Sequence, residues 1–289
     1  MNLNSQRLRM LEFSFKESSR GILSPDLYRR LGLALSDLKS GICAIYLWPM
    51  LGWLEVKQRY RRSVLGPFWL TLSTGVMIGG MGPLYGKLFG QPTSPYLAHL
   101  ATSMVVWIFV SGLITEASMS FITSENYIKH MKLPLTVHVM RVVWKSLLIL
   151  AHNLVIVVVV LFIYPPKTAW YLLLVPISVL VIALNGIWLG VLLGLLGARF
   201  RDIPPVVNSL VTVTMFLTPI LWTPDMLGSN RWIADINPLF HFLEIVRRPL
   251  LGEAPPVLSW MAVIATTFIG YLIMLGVFQR FRARVPYWV

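Results

Sequence analysis

Six long apolar runs divide the chain, and polar segments rich in Lys and Arg separate them. The runs cover residues 68–86, 97–122, 142–164, 169–198, 203–222 and 257–278. Each has close to or more than the roughly 20 residues that a helix needs to cross about 30 Å of hydrocarbon. The pattern predicts an all-α integral membrane protein with six transmembrane helices per chain. An even number of spans places both termini on the same side.

The composition agrees with a membrane protein. Of the 289 residues, 56% are hydrophobic and 13% are charged, whereas a soluble domain carries about 25% charged residues. The net charge of +13 is spread beside the apolar runs, so we do not expect a nucleic-acid partner. The single cysteine, Cys43, excludes an internal disulfide and a zinc site built on paired cysteines. Residues 1–40 lack the apolar core of a cleavable signal peptide.

The distribution of basic residues predicts the orientation. Residues 1–67 hold eleven of the 25 Lys and Arg residues, and the side of the membrane opposite the termini would hold only five. Because Lys and Arg accumulate in cytoplasmic segments, both termini are predicted to be cytoplasmic.

The segment before the first run, about residues 50–65, is predicted to be an amphipathic helix in the cytoplasmic interface. Its apolar stripe would consist of Trp53, Val56, Tyr60 and Val64. Three basic residues near its end are candidates for lipid headgroup contacts: Arg59, Arg61 and Arg62. An ordinary basic flank that only fixes topology is the alternative.

Motifs of self-contained catalysis are absent from the sequence. It has no G-x-x-x-x-G-K-[ST], H-E-x-x-H, C-x-x-C or D-x-D. His241 and Glu244 could form a dyad, although a loop contact is the simpler interpretation. Glu116 lies within the second run, where an interhelix hydrogen bond is the favoured interpretation over a proton relay. No catalytic, cofactor or metal residues are predicted. These gaps favour transport powered by another chain over the rival class, a membrane-embedded enzyme acting on lipid-linked sugars.

Four short motifs in order resemble one family. They are KQRYRRSVLGPFW at 57–69, ARFRDI at 198–203, FLTPILW at 216–222 and NPL at 237–239. Together they resemble the membrane-spanning subunit of type-2 ABC exporters for polysaccharides, the Wzm and KpsM type permeases of O-antigen and capsule export. The resemblance covers about residues 42–282. Residues 1–41 would then be a cytoplasmic N-terminal segment and residues 283–289 a cytoplasmic tail.

The resemblance implies a multi-pass homodimer in the bacterial inner membrane. Two copies of an ATP-binding cassette subunit, similar to Wzt or KpsT, would bind ATP and Mg on its cytoplasmic face. The substrate would be a polysaccharide on undecaprenyl diphosphate, with O-antigen as the first expectation. A capsule polysaccharide, teichoic acid or another amphiphile is the alternative.

The segment SENYIKHMKLP at 124–134 is the candidate contact with the ATPase. Ser124 is expected to cap a short helix and Pro134 to end it. Tyr127, Ile128 and Met131 would share one side of this coupling helix, while a plain loop between spans is the alternative. Arg201 and Asp202 are a second candidate contact, or simply mark topology.

Small polar and aromatic residues in the first and fifth runs suggest a wall for a glycan. The candidate pathway or lateral-gate residues are Trp69, Thr71, Ser73, Asn208, Thr212 and Met215. Ordinary helix packing is the alternative interpretation. The segment 223–256 is expected to form re-entrant periplasmic helices before the last span. There, Arg247 and Arg248 could contact diphosphate or anchor to headgroups.

Overall fold

The computed structural model describes residues 25–59, 61–166 and 168–289, and every regular element in these ranges is a helix. Five-residue or shorter connections join most of them. In chain order the α-helices are α1 (Pro25–Cys43), α2 (Trp48–Arg59), α3 (Phe68–Leu88), α4 (Thr93–Met119), α5 (Glu125–His130), α6 (Leu135–Ile163), α7 (Leu174–Arg199), α8 (Ile203–Leu217), α9 (Trp232–Asp235), α10 (Pro238–Leu250), α11 (Val257–Phe281) and α12 (Val285–Trp288).

Helix α4 is the centre of the fold. It packs against α3, α6, α7, α8 and α10. More than half of its 27 residues are buried, from Tyr96 to Ser118. Close approach to α7 depends on glycine, because a Cβ on Gly197 would collide with the main-chain oxygen of Ser118.

Helices occupy all six predicted runs, but their lengths differ. Among the described residues, four helices are long and apolar enough to cross a membrane: Thr93–Met119, Leu135–Ile163, Ala169–Arg199 and Val257–Trp288. The pair α1 and α2, bent by 61°, would be a fifth as one broken span. With 15 residues, α8 extends only about 22 Å. It ends at Leu217 because Pro219 forces the preceding Thr218 into an extended conformation. The count of six spans therefore stays a prediction.

The sequence predicts no helix before about residue 50, but α1 forms at Pro25–Cys43. Its buried stripe is Ala34, Asp37, Leu38 and Gly41, at helical spacings. Gly41 lets α1 approach α6, since a Cβ there would lie 2.6 Å from Cβ of Thr136. Residues 1–24 lie outside the described part of the chain.

The predicted interface helix is shorter than expected, and Val56 is the one described residue of its predicted stripe that is buried in the protein. It ends at Arg59, and Arg62 has a φ of 71°, which is incompatible with a continuing helix. Val64 lies beyond the helix and is fully exposed, while Tyr60 lies outside the described residues. The buried face consists of Leu51, Gly52 and Val56, which pack towards α6.

Helix α6 begins at Leu135, seven residues before the predicted start of the third span at 142. It therefore includes Arg141, which lies just before the predicted span, together with Lys145, which lies within it. Both are buried. Their ionic partners, described below, explain why charges are tolerated there.

The C-terminal residues fold back onto the protein. Val285 is completely buried, and the Trp288 ring lies 5.1 Å from the guanidinium carbon of Arg199 at the end of α7. The turn α12 also contacts α5. The predicted tail is thus part of the packed structure.

Candidate functional site

The segment between α4 and α6 contains a short helix, but its ends differ from the prediction. Ser124 occupies the N-cap position without capping, because its hydroxyl donates to the oxygen of Ser120 at 2.6 Å. The helix ends at His130, four residues before Pro134, which instead precedes α6. Hydroxyl back-bonding of this kind competes with capping.

The six residues of α5 include none that is buried. Tyr127 is 38% exposed and Met131 just after the helix is 49% exposed, whereas Ile128 packs partly against the core. The three residues predicted to share one side therefore divide. Tyr127 and Met131 form an exposed aromatic and thioether surface, and Ile128 holds the helix to the protein.

Charges around α5 bring the two predicted cytoplasmic contacts together. Lys129 Nζ lies 2.6 Å from Glu125 Oε1. The hydrogen bond and charge of Lys129 lower the pKa of Glu125, and the charge of Arg201 contributes in the same direction. Arg201 and Asp202 are both exposed. Arg201 is therefore close enough to α5 for its charge to act on Glu125.

A chain of ion pairs lies next to this surface. Glu55 on α2 accepts from Arg141 Nη1 at 2.7 Å and from Lys145 Nζ at 2.8 Å. Lys145 also lies 2.6 Å from Glu116 Oε2 on α4, and Arg59 reaches Glu116 at 3.4 Å. Glu116 lies one turn before the end of α4. Its ion pairs are with residues of α2 and α6, which agrees with an interhelix contact. We name these five residues the charge cluster.

The candidate pathway residues lie on two helices with different neighbours. Helix α3 packs against α4 and α6, whereas α8 packs against α4 and α7. Trp69, Ser73, Asn208 and Thr212 are exposed, and Met215 is half-buried. The geometry therefore leaves a largely unpacked face on each of these helices.

The hydroxyls of these residues are mostly used within the protein. Thr71 Oγ1 donates to the oxygen of His152 at 2.9 Å, which joins α3 to α6. Thr212 Oγ1 donates to the oxygen of Asn208 at 2.9 Å, and Ser73 bonds its own helix in the same way. Thr71 therefore holds α3 against α6.

An open cleft of about 630 Å³ follows the end of α2. It combines aromatic, apolar and cationic side chains, namely Trp53, Leu54, Lys57, Gln58, Arg61, Arg62 and Pro67. Arg61 and Arg62 are both exposed there, whereas Arg59 turns towards Glu116. The cleft thus has the charge and the partly apolar lining that suit an anionic lipid headgroup.

The two arginines of α10 have different environments. Arg247 is 2% exposed, pairs with the buried Glu244, and donates to Ser103 Oγ at 3.1 Å. It also donates to the oxygen of Pro219. Arg247 is therefore occupied by protein groups in this conformation and does not face a diphosphate. Arg248 is part-buried and bonds Glu244 at 2.9 Å.

The possible His241–Glu244 dyad does not form. The His241 ring bonds the Ser259 hydroxyl at 3.0 Å and the oxygen of Asp235 at 2.8 Å. Glu244 is committed to the arginines of its own helix. The histidine links α10 to α11 and α9.

The segment 223–256 contains short helices, while their re-entrant periplasmic placement stays a prediction. Its NPL motif has a structural role. Asn237 is the N-cap of α10 and accepts from the Leu239 amide at 3.0 Å. Its amide group donates to Thr218 Oγ1 at 2.9 Å, after the end of α8. Asn237 therefore ties the two motifs FLTPILW and NPL together.

Comparison with known proteins places this architecture in a family. The family model of the ABC-2 type transporter matches residues 46–251. An O-antigen export system permease protein RfbA of Klebsiella pneumoniae is 24% identical over 80% of this chain and 90% of its own length. A protein of the same name from Myxococcus xanthus is 24% identical over 72% of this chain and 83% of its own length. Because the family model covers most of the chain, this protein belongs to the ABC-2 type transporter family.

Proposed function

We propose that this chain is the permease subunit of an ATP-driven exporter. It moves a polysaccharide linked to undecaprenyl diphosphate, first of all an O-antigen, from cytoplasm to periplasm. The similar proteins are named as O-antigen export permeases, and the matches cover 90% and 83% of their own lengths. Their names therefore support the substrate class. ATP and Mg would be bound by a partner ATPase, and this chain would need no cofactor of its own.

The exposed coupling helix is the observation that carries the proposal. A six-residue helix without buried residues stands between two membrane-capable helices, and it presents Tyr127 and Met131. Exposed aromatic and methionine side chains are enriched in protein interfaces. Arg201, whose charge acts on Glu125, would extend this surface together with the neighbouring Asp202. An ATP-binding cassette subunit is the partner that the family would place there, two copies for a dimer of permeases.

The pathway would run between two copies of the chain. The largely unpacked faces of α3 and α8 carry Trp69, Asn208 and Thr212. Hydroxyl and amide groups beside flat aromatic rings suit a glycan. Packing two copies across these faces would give a wall that one copy lacks.

The basic cleft after α2 would receive the diphosphate of the lipid carrier. Arg61 and Arg62 are exposed in it, and guanidinium binds phosphate through two parallel hydrogen bonds. It would lie at the cytoplasmic interface if both termini are cytoplasmic. Arg248 remains a candidate contact on the opposite side.

A deletion in the native host tests the function. Loss of the chain should leave the lipid-linked polymer inside the inner membrane and remove it from the cell surface, and the wild-type chain should restore it. The purified pair of permease and ATPase, reconstituted into vesicles, should move the labelled polymer only with ATP. Unchanged surface polymer after the deletion, or modification of sugars by the permease alone, would overturn the proposal.

A further inference from the structure

The charge cluster joins three helices and the start of the coupling segment. Glu55 and Arg59 belong to α2, Glu116 to α4, and Arg141 and Lys145 to α6. The ion-pair distances between them run from 2.6 to 3.4 Å. No stretch of local sequence holds these groups together, so their contact depends on the tertiary structure.

Arg141 is the member that reaches the coupling segment. Its Nη1 pairs with Glu55 at 2.7 Å, and its Nη2 donates to Ser124 Oγ at 3.0 Å and to Thr123 Oγ1 at 3.1 Å. One rigid guanidinium therefore binds α2 at one edge and the residues just before α5 at the other. Its side chain is 5% exposed, so water does not compete well for these contacts.

The coupling helix has few packing contacts besides Ile128, the Tyr127 ring beside His138 and the turn α12, so the contacts made by Arg141 matter for its position. Within the described residues, α5 has no buried member. Its preceding residues are held by Arg141. The residues after it lead into α6, whose first amides at Leu135 and Thr136 donate to Asp37. A displacement of α5 would therefore act directly on Arg141.

We propose that Arg141 is a positioning residue that links the movement of α5, the coupling helix, to α2 through its ion pair with Glu55. A shift of α5, driven by the ATPase, would pull on the Arg141–Glu55 pair and so move α2 and the basic cleft that follows it. This inference rests on the proposed function for its purpose, but the mechanical link belongs to the permease alone. Lys145 supplies a second counter-charge to Glu55, and Glu116 in turn pairs with Lys145.

Hydrogen exchange of the full-length permease in lipid nanodiscs tests the link. Glu55→Gln removes the carboxylate charge on α2 and replaces one of its two accepting oxygens with an amide NH2, but leaves Ser124 and Thr123 untouched. We expect amides at 121–131 to exchange at least about fivefold faster, although Glu55 does not contact them. The matched control is Asp225→Asn, which removes the exposed 3.3 Å pair with Arg231 and should leave these amides unchanged. Unchanged exchange at 121–131 in Glu55→Gln would overturn the inference.

A second variant tests the link from the other end, and also serves if Glu55→Gln does not fold. Ser124→Ala removes one acceptor of Arg141 and should increase exchange in α2. Combining two changes on one path should give less than the product of the two single effects. A double variant whose effects multiply, as for independent sites, would contradict the link.

Export measurements then separate the two proposals. In vesicles containing permease and ATPase, Ser124→Ala should lower the polymer exported per ATP by about fivefold while hydrolysis continues. Normal export per ATP in a variant with increased exchange would show that the link has no role in coupling and overturn its assigned purpose. If wild type exports nothing, the proposed function fails, and the exchange results still decide the link.

Discussion

Arg282, at the end of α11, donates from Nε to Oδ2 of Asp37 on α1 at 2.9 Å, although 245 residues separate them in the sequence. Asp37 also accepts from the amides of Leu135 and Thr136 at 3.2 and 3.1 Å. One buried carboxylate therefore joins α1, near the start of the described chain, to the end of α11. It also takes the place of an N-cap for α6. Charge at this position is also favoured by the helix dipole of α6.

Removing Asp37 should destabilise the protein far more than removing its partner. Asp37→Ala leaves two amides and a guanidinium without their acceptor, which should cost about 3 kcal/mol. Arg282→Gln should cost about 1 kcal/mol, since its side chain is 32% exposed. Thermal unfolding in nanodiscs measures both, with the exposed Asp225→Asn as control. Equal losses for both variants would contradict the capping role.

Two glycines offer a matched test of helix packing. Gly197→Ala places a methyl group against the main-chain oxygen of Ser118, so α7 must move away from α4 at a cost of about 2 kcal/mol. Gly276 on α11 has nothing within 4 Å of an added Cβ. Gly276→Ala should therefore be neutral or stabilise by about 0.5 kcal/mol through helix propensity. Unfolding measurements on the two variants compare them, and similar effects would show that close packing is not required.

The arginines of α10 should differ in their tolerance of lysine. Arg247→Lys loses the fork that serves Glu244, Ser103 and the oxygen of Pro219, and should cost about 3 kcal/mol. Arg248→Lys, at a side chain 28% exposed, should cost less than about 1 kcal/mol. Thermal unfolding again provides the measurement. A stable Arg247→Lys variant with weakened export would instead favour a role in substrate contact.

The pattern of long apolar runs predicted the positions of six helices. In a membrane the backbone of an apolar run must satisfy its own hydrogen bonds, and a helix does this within one segment. The helix ends were less predictable. The start of α6 depends on Asp37 of the distant helix α1, because this carboxylate accepts hydrogen bonds from the first amides of α6. The local sequence at 135–141 gives no sign of that partner. Helix α1 had a local signal in the stripe from Ala34 to Gly41, although its mixed charge concealed it.

The exposed half of the candidate site was readable from sequence, and the buried half was not. Tyr127 and Met131 lie at helical spacing in a polar loop, a local pattern. The charge cluster requires Glu55 and Arg141 to meet across 86 positions, which only the packing of α2 on α6 achieves. The spacing of Arg141 and Lys145 at i and i+4 was the one local sign that two cations share a helix face.

Tyr127 and Met131 should carry the contact with the ATPase. Truncating both to Ala removes the exposed aromatic and thioether groups. The Tyr127 ring also lies 6.3 Å from the ring of the buried His138, so thermal unfolding is measured alongside to show that the variant folds. We expect export per ATP to fall about tenfold, because a few central aromatic residues dominate interface energies. The control is Trp170→Ala, an aromatic side chain 75% exposed beyond the far end of α6. Reconstituted vesicles measure export and hydrolysis together. Full coupling in the double variant, with loss only in Trp170→Ala, would place the contact at the opposite end of the molecule.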